Sequence, residues 1–253
     1  MVKDLERKNG CPYKFYHNWV HGAISREGTQ VQDYGNYFET LVIGGCAHGE
    51  PLTELPLLKN GKKSAAHQRI DQQAEYAKRM LYDAGFEEYL GIEVEGTQIE
   101  LENKDINFRG TLDIMGTHQD GRPVMADLKL TGDVNATFGP YPWGEPERMD
   151  FLQQVLYSYL YEKSFGIRPM NLLLVYDFSA EMGKKVIELE LEGSSYDDLF
   201  DRITDFEHAI NHYNENGYTK YPSLKECEGC PFEEIGCDTP FTVDKVEKVT
   251  IKI

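Results

Sequence analysis

With 253 residues, 40% of them hydrophobic and 12% aromatic, the chain has the composition of a globular protein able to bury a sizeable core, and no stretch approaches membrane-span length. Its 43 acidic and 26 basic residues leave a net charge of −17, which argues against broad, nonspecific attraction to a polyanion. The first ten residues, MVKDLERKNG, carry no apolar run, so no signal peptide is expected and a cytoplasmic location is.

In chain order, Cys11-Pro12 followed by aromatics reads as a small thiol starting a helix. Tyr34 to Gly44 reads as a helix that buries Phe38, Leu41 and Val42 and leaves Glu39 on its surface. Leu52 to Leu58 is a short strand or loop, ending in the turn Lys59-Asn60-Gly61. Ser64 to Ala84 is a polar helix: Ser64 suits the N-cap, Ile70, Ala74, Ala77 and Leu81 recur at helical spacing, and Gly85 suits the C-cap. Lys59, Lys62, Lys63, Arg69, Lys78 and Arg79 are either a solvated helix face or a local basic strip. Ile92 to Glu95 and Gln98 to Glu102, parted by Gly96, are expected to form a short hairpin.

The central stretch is a second hairpin. Asn107 to Met115 and Pro123 to Leu130 flank the turn Thr117 to Gly121, where Asp120-Gly121 is a strong turn signal. Side chains alternate across a strand, so Asp127 and Lys129 share a face, and pairing brings Asp113 beside them. Two carboxylates and a lysine make a costly core if uncompensated. Around a divalent cation they make chemical sense, because carboxylate oxygens bind hard ions and an ammonium steadies developing negative charge. An exposed hairpin with solvated charges is the other reading of this stretch alone.

The Gly139 to Pro146 loop is expected to tuck Trp143 onto the core, with nucleobase stacking as the second reading. Glu147 to Phe165 is a helix with an apolar stripe of Leu152, Val155, Leu156, Tyr159 and Leu160. Gln153 and Tyr157 lie four apart on an adjacent face, though periodicity alone would assign Tyr157 to the core. Asn171 to Phe178 reads as a central strand and Lys185 to Leu191 as one nearer an edge. Ser194 to Asn216 is a helix with Leu199, Ile203, Phe206 and Ile210 inward, and His208 and His212 on its surface. The tail, with Val249, Ile251 and Ile253 alternating, suits an edge strand.

Five cysteines, an odd number, argue against a disulfide framework. Cys227, Cys230 and Cys237 form C-x2-C-x6-C, and thiolates at that spacing suit an iron–sulfur cluster or zinc. Three ligands leave a fourth to be found. Cys46 reads as an ordinary thiol.

Gly110-Thr111-Leu112-Asp113 and Asp127-Leu128-Lys129-Leu130-Thr131-Gly132 resemble the G-x-x-D and D-x-K-T-G pattern of the PD-(D/E)XK nuclease superfamily in its RecB-like branch, with Leu130 as one inserted residue. Cys11 to Tyr16, C-P-Y-K-F-Y, is similar to that branch's N-terminal segment, and QQVLYSYLYEKSFG from Gln153 resembles its Q-x-x-x-Y helix. Glu39, four after Gly35, stands where the branch carries a histidine, and His48 is a nearby alternative. The resemblance, closest to the iron–sulfur members such as AddB and the CRISPR-associated group, implies a single α/β domain over residues 1–253. Its restriction-endonuclease-like mixed sheet would be flanked by helices, with the termini joined by a [4Fe–4S] cluster on Cys11, Cys227, Cys230 and Cys237.

By the same resemblance, Asp113, Asp127 and Glu39 would hold Mg²⁺ or Mn²⁺, Lys129 would orient water or stabilise charge, and Gln153 and Tyr157 would position DNA. The implied activity is a metal-dependent DNA nuclease, an exonuclease on ends or single strands, with recombination, phage or CRISPR-adaptation proteins as partners and no membrane. No P-loop or helicase motif accompanies it. The alternative is a non-catalytic nucleic-acid- or partner-binding module that retains the fold and cluster.

Overall fold

Two compact units divide the chain: Gly28–Leu199, and a second formed by Met1–Glu27 with Phe200–Ile253. The computed structural model describes residues 11–17, 29–46, 50–106, 108–139 and 141–218. Cys227, Cys230, Cys237, His48 and the alternating tail lie outside the described residues.

The larger unit opens with α2, Gln30–Ile43. It begins before the expected Tyr34 because Thr29 and Gln32 close a capping box, each side chain accepting from the other's backbone N–H. Helix α3, Ala65–Tyr82, starts where Ser64 Oγ accepts from His67 N at 3.1 Å, as the sequence suggests. Its end differs from expectation. Asp83, in an extended conformation, is the C-cap, and Gly85 instead donates its N–H to Asp83 Oδ1 at 3.0 Å.

Strands β1 (Ile92–Asn103), β2 (Phe108–His118), β3 (Pro123–Thr131), β4 (Met170–Asp177) and β5 (Lys184–Leu189) form one sheet in the order of the chain. Only β3 and β4 run parallel, and the crossover between them carries a 3₁₀ turn, Pro146–Arg148, and helix α4, Leu152–Phe165. The sheet is therefore mixed, as expected. The expected hairpin of Ile92–Glu95 and Gln98–Glu102 is corrected: both halves belong to β1 and pair in sequence with β2. The extra residue is absorbed as a register shift between Val94 and Gly96, and Gln98 takes a positive φ of 53°. Gly96 lacks a side chain where the Ile99 methyl group comes within 2.7 Å of a Cβ position, so the strand bends there rather than turning back.

The sheet is covered on both faces. Val124, Ala126 and Leu128 of β3, with Leu172, Leu174 and Tyr176 of β4, pack with Phe38 and Val42 of α2 and Ile70, Ala74, Ala77 and Leu81 of α3. The intervening residues point the other way, where Leu173 and Val175 pack with Val134 and Trp143. Asp127 and Lys129 belong to this second set. Burial of these two layers stabilises the unit by about 25 cal/mol for each Å² of apolar surface removed from water.

In the second unit, Pro12–Phe15 forms the short helix α1, and Phe15 meets Phe206 edge-on at 6.0 Å. The last helix, α5, spans Ser195–Asn216. No helix among the described residues is long and apolar enough to cross a membrane.

Candidate active site

The site begins where two strands part. Residues of β2 and β3 pair from Thr117↔Pro123 to Ile114↔Ala126. One step further Asp113 and Asp127 would face each other, and there the Leu128 N–H turns to Asp113 Oδ2 at 2.8 Å. Beyond this fork β2 continues against β1 as far as Asn103↔Phe108, while β3 continues against β4 as far as Thr131↔Asp177. The two carboxylates thus sit in the cleft between diverging strands. Only 5% of Asp113 and 8% of Asp127 is exposed, so water cannot screen them. Lys129 Nζ lies 2.5 Å from Asp127 Oδ2, and a third of the lysine side chain reaches solvent.

Burial drives the Asp113 carboxyl well above the usual carboxylate range, and the Asp127 and Glu39 charges push the same way. Lys129 and the Leu128 N–H oppose this without reversing it. Burial pulls the Lys129 ammonium down, but the charges of Asp127 and Asp113 and the Asp127 hydrogen bond outweigh it and hold the lysine above its ordinary range. Lys129 is therefore a cation, available to donate and to stabilise charge and poorly suited to act as a base.

The chemistry of this donor set fits a hard divalent cation. Asp127 and Glu39 both act on Asp113, and all three carboxylates act on a single ammonium, so a bound divalent cation would stabilise the ionised Asp113 that burial disfavours. The carboxylates are not gathered into a ready-made sphere: among the described residues no three His, Cys, Asp or Glu side chains converge as a metal site. Glu39 Oε1 accepts from Gln98 Nε2 at 2.9 Å. Asp113 and Asp127 are the donors best placed for direct ligation, and Glu39 adds its field from α2. Sequence reading missed Gln98, whose only signal was Gly96 two residues earlier.

Helix α4 supplies the other wall. Gln153 Nε2 donates to Tyr157 Oη at 3.0 Å, so the two residues placed together by spacing are in contact. The Tyr157 ring fills the place where Gly110 would carry a Cβ, and Asp127, Asp113 and Lys129 all act on its hydroxyl. A cleft of about 500 Å³ opens here, lined by Tyr157, Arg109, Gly110 and Thr111 with Glu100 and Glu102. Neither those glutamates nor Arg109 stood out in the sequence. The buried side of α4 carries Gln154 and Ser158 as well as Tyr159, Leu160 and Tyr161, so the expected apolar stripe is only partly right. Ser158 meets the Tyr196 hydroxyl at 3.2 Å, which explains a hydroxyl in that position.

Three members of the basic strip are engaged within the chain. Lys63 pairs with Asp71 at 2.5 Å, Arg79 with Asp83 at 3.3 Å, and Arg69 donates to the Phe178 carbonyl at 3.3 Å. His208 and His212 lie exposed on α5, as expected. Trp143 is buried, also as expected. Cys11 is half-buried at the N-cap of α1, and Cys46 Sγ donates to the Glu50 carbonyl at 3.6 Å.

The chain belongs to the PD-(D/E)XK nuclease superfamily, whose family pattern matches residues 2–237. Among solved structures it is similar to a protein from Eubacterium rectale described as a candidate exonuclease, with a TM-score of 0.59 and 14% identity. That likeness spans 99% of this chain and 90% of the other, and at such identity it shows the fold alone. No curated protein sequence matches.

Proposed function

We propose, proceeding from its place in the PD-(D/E)XK superfamily, that this chain is a DNA nuclease dependent on Mg²⁺ or Mn²⁺ and acts as an exonuclease on ends or single strands. The buried Asp113, Asp127 and Lys129 cluster carries the reading, because two carboxyl groups held out of water beside one ammonium are a costly arrangement that a bound cation would compensate. Asp113 and Asp127 would hold the ion, with Glu39 beside them. The bound ion would acidify water and polarise the scissile phosphate. Hydrolysis adds a water oxygen to phosphorus and breaks one P–O ester bond, and the departing sugar oxygen takes up a proton. Lys129 donates toward the attacking water or the phosphoryl oxygens and stabilises the charge that accumulates on them. Gln153 and Tyr157 hold the strand in line from α4.

Cys11 with Cys227, Cys230 and Cys237 is proposed to bind a [4Fe–4S] cluster, zinc being the alternative. Iron and sulfide content of anaerobically purified protein, lost in Cys227→Ser, tests that part separately.

The decisive experiment compares wild type, Lys129→Ala and Asp127→Ala on end-labelled single- and double-stranded DNA with Mg²⁺, Mn²⁺ or chelator. Metal-dependent cutting reduced at least ~100-fold in both variants is the expected result, in line with the loss of one transition-state donor. A fully active Asp127→Ala enzyme would refute the assignment. A folded wild type that binds DNA without cutting it would favour the non-catalytic module, for which the charge of −17 is the one supporting observation.

A further inference from the structure

We propose that Tyr141, with Phe138 in the same loop, is a base-stacking subsite for an unpaired nucleotide flanking the bond to be cut. The proposal rests on the reading of the chain as a nuclease.

The loop begins at the end of β3, the strand that carries Asp127 and Lys129, and it is built onto the same face of the sheet. Asp127 is the register partner of Leu173 and Lys129 that of Val175. Leu173 and Val175 are the residues against which Val134 and Trp143 pack. Trp143 therefore packs on the same sheet face as the carboxylates, over β4, the strand next to the one that carries Asp127. The Tyr141 ring lies over it nearly parallel, 15° between planes and 6.3 Å between centroids.

This segment is braced. Asp177 Oδ2 accepts from Val134 N at 3.1 Å, and Lys185 Nζ donates to the carbonyls of Val134 at 3.2 Å and Trp143 at 2.7 Å. Gly144 N donates to the Ala136 carbonyl at 2.8 Å, and Arg148 donates to the Thr137 carbonyl at 3.2 Å. On such a frame large apolar side chains would be expected to fold inward. Trp143 does, yet Tyr141 is 61% and Phe138 83% exposed. Aromatic surface displayed on a held loop, on the same sheet face as a charged site, suits a flat ligand.

Charge identifies the ligand's binding mode. At −17 the chain gains little from general attraction to phosphates, and Lys63, Arg79 and Arg148 are each paired with a carboxylate of their own. Stacking on a base needs no positive surface and is tolerant of sequence. A base within a duplex already has both faces covered, so the subsite takes a single strand or a frayed end.

The test measures binding of a fluorescent single-stranded oligodeoxynucleotide in Ca²⁺, with cleavage in Mg²⁺ assayed in parallel. Wild type, Tyr141→Ala, Tyr141→Phe and Phe138→Ala are compared on the intact oligonucleotide and on versions carrying one abasic residue at successive positions. Tyr141→Ala should weaken binding roughly five- to a hundredfold, the range expected for one stacked base, while Tyr141→Phe retains it. Phe138→Ala should lose binding in the same sense. An abasic residue at one position should weaken wild type and leave Tyr141→Ala unaffected. Wild-type binding by both alanine variants, or abasic penalties unchanged in Tyr141→Ala, overturns the subsite and assigns the exposed rings to a protein partner; the nuclease reading then still stands if wild type cuts. A folded wild type that neither binds nor cuts DNA overturns both.

Discussion

Asp113 illustrates how a proposed metal ligand opposes the fold that holds it. Its carboxyl is buried, crowded by Asp127, and raised in pKa, so its ionised form costs stability until a cation joins it. Asparagine is nearly isosteric, is neutral, and can still accept from Leu128 N–H. Asp113→Asn should melt about 2–4 °C higher in chelator, roughly 1 kcal/mol, and cut no DNA. Calorimetry alongside a cleavage assay checks both halves. Asp71 shows the opposite sign. Burial alone would raise its carboxyl, but hydrogen bonds from Lys63 and Tyr37 and the Lys63 charge bring it below the ordinary aspartate range. The folded state then binds fewer protons than the unfolded chain in acid. That stabilisation is complete above the unfolded aspartate pKa, about 3.9, and disappears as pH falls through the folded one. Asp71→Asn should therefore destabilise the fold at neutral pH by no more than about 1 kcal/mol, because the pair is part-exposed, and so lower its melting temperature. The gap should close in acid, and a gap that is independent of pH would exclude this account.

At the scale of elements, the site depends on how α4 meets β2. Gly110 leaves the space that the Tyr157 ring occupies, so a methyl group there must displace the ring or the strand. Gly110→Ala should cost about 1–3 kcal/mol and loosen the Gln153–Tyr157 pair, seen as a lower melting temperature and weaker DNA binding together. A normal melting temperature with normal cleavage would mean that the tyrosine has room to move. The glycine was legible as part of a motif, but the reason for it was not, because the ring it accommodates lies in another element. Gly96 misled in the other direction. A glycine between two strand-like segments reads as a turn, yet continuous pairing with β2 turned it into a bulge within one strand. Pairing partners are long-range, and local signals cannot distinguish a bend from a reversal.

For the whole molecule, charge sets the manner of binding. With a net charge of −17 and Lys63, Arg79 and Arg148 each paired with a carboxylate, the chain should contact few phosphates. The affinity for single strands should then fall by less than about tenfold between 50 and 200 mM salt, corresponding to roughly two displaced counterions. Titrations across that range decide it, and a loss of a thousandfold would reveal a basic surface that the described residues do not present.

The sequence by itself determined the helix start at Ser64 and the shared face of Asp127 and Lys129, because caps and strand alternation act over a few residues, whereas the mixed α/β class was legible through the family resemblance. It also placed Gln153 against Tyr157, by the four-residue spacing of a helix. Tertiary structure alone decided that β2 and β3 part at Asp113 and that Gln98 holds Glu39. It alone left Tyr141 outward. Each of these depends on which distant segment arrives beside a residue, and burial and electrostatic field exist only once those segments have packed.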